Sequence, residues 1–259
     1  MAIAEGPFSI TQRWVVDEIK LWDVAAGREV VTLTERDHPV VGVAFGPDAD
    51  SVTSLDAGNT VKVRRLDDGR VSHVVRSSKS PSFGVGPSSV VFGAESRRVV
   101  AIRSAGTSPG VVTTWDVTRS LVRGLSGQRG TPRCVAMSPD GKLVASVNHE
   151  QILTIWDFET GKIVRTFEAK VASRLILLAY SPEARLLVAA DEDGALHVWS
   201  GDGRPGQALP SGRGRVLAMS FRGGSLRVAS SGPPRRRPAG EQAQDGSINV
   251  WNIGMIYKP

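Results

Sequence analysis

The sequence predicts an all-β fold of about six four-stranded repeats, the first of them reduced. Three observations carry that expectation. Tryptophans close five similar strand-like segments, at Trp22, Trp115, Trp156, Trp199 and Trp251, and Arg64 takes the same place in a sixth. The successive spacings are 42, 51, 41, 43 and 52 residues, the period of one supersecondary unit copied along a chain. A turn signal recurs 18 residues upstream of Arg64, Trp156 and Trp199, in "GPDA", "SPDG" and "SPEA". Proline followed by an acidic residue suits such a turn, because proline presets φ and the carboxylate caps the local backbone.

Taken in order, the first copy has only "PFSIT" and "QRWVV" before "EIKLWDV", which closes on Trp22 and Asp23, so it is short of a strand. The second runs "VVGVAF", turn Gly46–Ala49, "SVTSL", and closes in "TVKVRRL" at Arg64. In the third, "VFG" stands 22 residues before Trp115-Asp116, and its four extra residues are assigned to a loop, Ser104–Gly110. The fourth and fifth are regular: "RCVAM", "LVASV" and Trp156-Asp157, then "LILLAY", "LLVAA" and Trp199. In the sixth, Ser220 lies 31 residues before Trp251, and 13 extra residues match the insertion Gly232–Gln244. The flanking runs are short and rich in Val and Leu, as strands are.

On these residues the chain resembles the WD-repeat β-propeller family, in particular its bacterial-type members, over nearly its whole length. The resemblance implies a β-propeller of about six four-stranded blades, forming one domain over residues 1–259. Asp193-Gly194 and Asp245-Gly246 sit six residues before Trp199 and Trp251, where the family keeps a turn Asp, and Glu150 holds that place in the fourth copy. The family's Gly-His pair has its nearest match in Asp37-His38, with Gly127-Gln128 and Gly212-Arg213 in two further copies. Physics supports the same architecture. A sheet apolar on both faces needs cover on both, and blades packed around an axis cover one another and leave short edges. Tryptophan adds about 150–250 Å² of apolar area at each such contact. Pairing of Met1–Ile10 beside Ile253–Tyr257 would close the ring but leave one strand short, so the chain is expected to be either a tight six-blade ring with a reduced first blade or part of a longer propeller.

Composition narrows the class. Hydrophobic residues make up 41% of 259, ample for a core. No apolar run approaches the ~20 residues of a membrane span, so no membrane partner is expected. The start, "MAIAEGPFSI", lacks the charge and apolar core of a secretion signal. The single cysteine, Cys134, cannot form an internal disulfide, and a cytoplasmic location is expected. The net charge is +6 and Arg outnumbers Lys 25 to 7, but the arginines are scattered and often neighbour Asp or Glu.

Catalytic and cofactor signals do not rise above the repeat. The four histidines show no metal-ligand spacing. Gly201–Gly206 matches G-x-G-x-x-G, yet Pro205 and the strand context deny it the helix that such a phosphate site needs. "DEDG", Asp191–Gly194, reads as a hairpin turn, and Asp23, Asp116 and Asp157 as turn caps. No enzyme site, metal or cofactor is therefore assigned. The resemblance implies a non-enzymatic protein–protein interaction scaffold, the recognition part of a larger signalling assembly. The candidate contacts are rim residues Arg64 and Arg65, the Ser104–Gly110 loop, and Arg235, Arg236 and Arg237 in the insertion. The second reading is a basic-rim nucleic-acid or ribonucleoprotein binder, expected to weaken steeply with salt. It is not favoured, since no aromatic residues interleave the arginines. A third reading, an enzyme at the channel mouth, has no nucleophile–base pair to support it.

Overall fold

In a computed structural model, the described residues are 8–11, 18–34, 38–46, 50–77, 89–93, 97–105, 108–183, 185–209, 215–222, 225–231 and 248–253. They form six antiparallel sheets, with no helix among them. The first sheet holds β1 (Phe8–Thr11), β2 (Glu18–Asp23) and β3 (Arg28–Thr34). The second holds β4 (Val40–Phe45), β5 (Ser51–Asp56), β6 (Thr60–Arg65) and β7 (Val71–Arg76). The third holds β8 (Ser89–Phe92), β9 (Arg98–Ala105), β10 (Ser108–Asp116) and β11 (Leu121–Leu125). The fourth holds β12 (Pro132–Met137), β13 (Leu143–Asn148), β14 (Ile152–Asp157) and β15 (Ile163–Glu168). The fifth holds β16 (Leu175–Tyr180), β17 (Leu186–Asp191), β18 (Leu196–Ser200) and β19 (Pro205–Leu209). The sixth holds β20 (Val216–Arg222), β21 (Ser225–Ser231) and β22 (Ile248–Ile253). This all-β series is that of a β-propeller; among the described residues the second to fifth sheets have four strands each and the first and sixth have three.

Two compact units divide the chain, residues 1–126 and 127–259. Within each, consecutive sheets pack face to face. In the second unit, Leu187, Ala189 and Trp199 of the fifth sheet join a core with Cys134, Ala145, Leu153 and Ile155 of the fourth. The alternate residues Leu186, Val188 and Ala190 turn the other way, onto Val216, Leu226 and Val228 of the sixth. Successive strand residues face opposite sides, so a strand covered on both reads as a continuous apolar run. In the first unit, Leu55, Val61 and Val75 of the second sheet meet Val99, Ala101 and Trp115 of the third. Trp115 and Trp199 thus fill the interface with the preceding sheet, and Trp115 and Trp156 are fully buried.

One expectation changes. The segment around Ser104–Gly110 is not a simple loop. β9 runs to Ala105 and β10 starts at Ser108, which pair, with a bulge between Ser108 and Val111. The extra residues lengthen a hairpin. Of the expected pairing of Met1–Ile10 beside Ile253–Tyr257, residues 1–7 and 254–257 lie outside the described residues; Phe8–Thr11 pairs with β2, Phe8 opposite Asp23, and Ile253 pairs with Leu226. Among the described residues, no strand precedes β1 in the first sheet and none follows β22 in the sixth.

Candidate interaction surface

Three hairpin turns share one chemistry. Each starts at an Asp or Asn ending the second strand of its sheet: Asp56, Asn148 and Asp191. The carboxylate or amide Oδ1 accepts a backbone N–H four residues on, from Thr60, Ile152 and Ala195, at 2.8 Å in every case. The residue between, at Asn59, Gln151 and Gly194, has φ of 63°, 63° and 89°. Asparagine and glycine tolerate this left-handed conformation best. The side-chain oxygen replaces a backbone turn acceptor, so these turns are stiff.

Asp193 and Glu150 sit within these turns, two positions after the residue whose side chain caps each. They donate their own N–H groups to Asp191 Oδ1 (3.1 Å) and Asn148 Oδ1 (2.9 Å). The signal was available: an Asp or Asn stands eight residues before Arg64, Trp156 and Trp199.

In an antiparallel sheet, alternate strands reverse, so these turns lie at the same end as the loops that lead from one sheet to the next. Side chains stitch the two sets together. Gln151 Nε2 donates to Ser173 O at 2.9 Å, and Leu175 N donates to Gln151 Oε1 at 3.2 Å, tying the turn of the fourth sheet to the loop entering the fifth. Ser146 Oγ donates to Gln128 Oε1 at 2.7 Å. Arg133, on the first strand of the fourth sheet, donates to Glu192 Oε1 at 3.0 Å, and Arg174 Nη1 lies 3.8 Å from the same oxygen. Two arginines therefore converge on one carboxylate across two sheets. Arg174 remains 55% exposed at its side chain, Arg133 only 23%. Exposed Arg129, His149 and Lys170 border the same end.

The hydrogen-bond network differs from sheet to sheet. The register position held by Ser146 is Ala189 in the fifth sheet, where His197 Nε2 lies 2.9 Å from Asp191 Oδ2 and donates from within the same sheet. It is Ala101 in the third sheet, where Trp115 Nε1 donates to Asn59 O of the second at 3.3 Å. Trp22 Nε1 is buried without an acceptor among the described residues.

The remaining predicted residues are dispersed. Asp23, Asp116 and Asp157 accept backbone N–H bonds from Ala26, Arg119 and Thr160 in the turns that follow, at 3.0, 3.0 and 2.7 Å. Arg64 is half-buried and donates to Thr34 O of the preceding sheet at 3.4 Å. Arg65 is exposed and forked onto Asp67, whose carboxyl it holds below the usual range. These two arginines therefore engage groups of their own chain. Arg235, Arg236, Arg237 and Asp245 lie outside the described residues, and Trp251 is described as a register position in β22. At Gly201–Gly206 there is a turn and strand, with Arg204 N donating to Ser200 Oγ at 2.8 Å. Among the described residues, no three His, Cys, Asp or Glu gather as a metal-ligand set, and no helix is long and apolar enough to cross a membrane.

Comparison with known proteins gives this geometry its class. The family described as WD domain, G-beta repeat matches residues 119–157 and 161–200, so the chain carries WD repeats. Telomerase protein component 1 of Rattus norvegicus is 25% identical over 255 residues, covering 92% of this chain and 9% of that protein. Small ribosomal subunit protein RACK1 of Candida albicans is 37% identical over 68 residues, 26% of this chain and 21% of that one. Autophagy-related protein 16 of Arabidopsis thaliana is 23% identical over 205 residues, 77% and 38% respectively. The chain thus spans well under half the length of these relatives. They come from a rat, a yeast and a plant, and lend the bacterial-type reading no support.

Proposed function

We propose that the chain is a non-enzymatic protein–protein interaction module, working as the recognition part of a larger assembly. The observation that carries this reading is the braced end of the second compact unit. There, stiff capped turns and the Arg133–Glu192–Arg174 group hold charged side chains in place on a rigid scaffold. Binding residues on loops positioned by rigid sheets are the common arrangement for recognition. The WD repeats of the relatives named above support the same class. One domain over residues 1–259, a cytoplasmic placement, and a contribution from Arg235, Arg236 and Arg237 belong to the same proposal.

Affinity capture from lysate, with and without nuclease, at low and moderate salt, tests it. Defined proteins retained after nuclease are expected. The double variant Arg133→Ala, Arg174→Ala is expected to weaken binding of a retained protein about tenfold, a loss of ~1.4 kcal/mol. Retention that vanishes with nuclease or modest salt transfers the assignment to a nucleic-acid binder, as counterion release requires. Changing Arg235, Arg236 and Arg237 together to Ser is expected to weaken an acidic partner without lowering the melting temperature. Unchanged binding removes the insertion from the surface.

A further inference from the structure

The first strands of four sheets carry a bulge at one shared register. Val40 pairs with Asp56 and Gly42 with Leu55; Pro132 pairs with Asn148 and Cys134 with Val147. Leu175 pairs with Asp191 and Leu177 with Ala190; Val216 pairs with Ser230 and Ala218 with Ala229. Val41, Arg133, Ile176 and Leu217 are therefore the extra residues, with no residue opposite. A bulge re-aims the side chain that it carries. The residue before each one, Val40, Pro132, Leu175 or Val216, is buried and anchors it.

In the second compact unit β12, β16 and β20 follow one another. Cys134 and Ala136 share a core with Leu175 and Tyr180, and Leu177 packs onto the core that holds Val216. One pattern then occurs twice in neighbouring strands, as Arg174-Leu175-Ile176 and Arg215-Val216-Leu217. Arg215 is exposed, Ile176 is half-buried, and Leu217 is 49% exposed. A single exposed leucine is ordinary; an aliphatic bulge with an arginine two residues before it, repeated on adjacent strands, is a surface with a composition of its own.

Charge is sorted across this end. Residues 131–137, 173–180 and 215–222, the first strands with the residues that enter them, contain arginines and no Asp or Glu. The acids here are Glu150, Glu192 and Asp193 in the hairpin turns and Glu168 at the end of β15. Glu192 is held by Arg133, and a guanidinium has five N–H donors, so Arg174 keeps donors for a second carboxylate. At the opposite end Lys142, Arg185 and Arg204 each lie within 3.8 Å of an acid two residues away in the same turn.

Given the interaction-module reading, on which this rests, we propose that the partner presents to β16 and β20 a short segment mixing Asp or Glu with aliphatic or aromatic residues. Its apolar side chains cover Ile176 and Leu217, and its carboxylates meet Arg174 and Arg215. Buried apolar anchors supply affinity, and the charge pairs fix register and orientation.

Random short peptides displayed on phage are selected on the 259-residue chain. The selected peptides are expected to be rich in Asp and Glu beside Leu, Ile, Phe or Trp. One is synthesised with a fluorescent label and its affinity is read by anisotropy. Leu217→Ser is expected to weaken it about tenfold. Arg174→Glu combined with Arg215→Glu is expected to abolish binding, and to accept instead the same peptide with its acids replaced by lysine. Both arginines are exposed, and this exchange reads charge contact rather than stability, so it decides the matter even where Leu217→Ser melts early. A selection that yields no peptide, or peptides that are basic or of no consistent chemistry, overturns the proposal. So does an affinity indifferent to these substitutions, or an exchange that fails. The interaction-module reading survives any of those results if lysate capture still retains defined proteins after nuclease, and falls with the proposal only if it retains none.

Discussion

Asp191 concentrates several roles in one buried side chain. One oxygen accepts the N–H groups of Asp193 and Ala195, and the other faces His197. Asp191→Ala is expected to cost about 2–3 kcal/mol in denaturant unfolding, because buried donors lose their acceptor. Asp191→Asn, which can keep the turn bonds, is expected to cost about half as much. Cys134 gives a pH signature. Burial pushes its thiol from 9.0 up to about 12. Above pH 9 the unfolded thiol releases its proton while the folded one keeps it. Stability is therefore full below that point and falls by about 1.4 kcal/mol per pH unit towards pH 12. Denaturant unfolding at pH 8 and pH 10 checks the slope, and Cys134→Ala is expected to flatten it. Tyr180, also raised by burial, acts in the same direction at higher pH.

Among the elements, the tryptophan-bearing strands matter most. Trp156→Ala is expected to destabilise by roughly 3–5 kcal/mol, read as a lower denaturation midpoint. Gly203→Ala tests the turn between β18 and β19: φ is 89°, and an added Cβ would lie 2.5 Å from Phe167 Cε1. A loss of more than about 1 kcal/mol is expected there. The strands were readable because Trp spacing and the Pro-acidic turns are periodic and local. The lengthened hairpin around Ser104–Gly110 was not, because "SAGTSPG" has the composition of a loop and only pairing register reveals its strands. The caps Asp56, Asn148 and Asp191 were not singled out, because their role shows only once their oxygens are seen against the turn N–H groups. The Arg133–Glu192 contact joins residues 59 apart in sequence. No local pattern encodes it, since it exists only once two sheets are stacked.

For the whole molecule, a single domain over residues 1–259 predicts one calorimetric transition whose van't Hoff and measured enthalpies agree. Two transitions would assign a separate melt to each compact unit. The same molecule carries its own reporters for that experiment. Trp14, Trp22 and Trp115 belong to the first unit, and Trp156, Trp199 and Trp251 to the second. Trp115 and Trp156 have no solvent exposure at all, so each should emit at short wavelength when folded and shift to the red when its own surroundings open. Arg64, standing where the repeat calls for an indole, leaves the second sheet dark, and a tryptophan introduced there would light the one blade that ultraviolet emission cannot otherwise see.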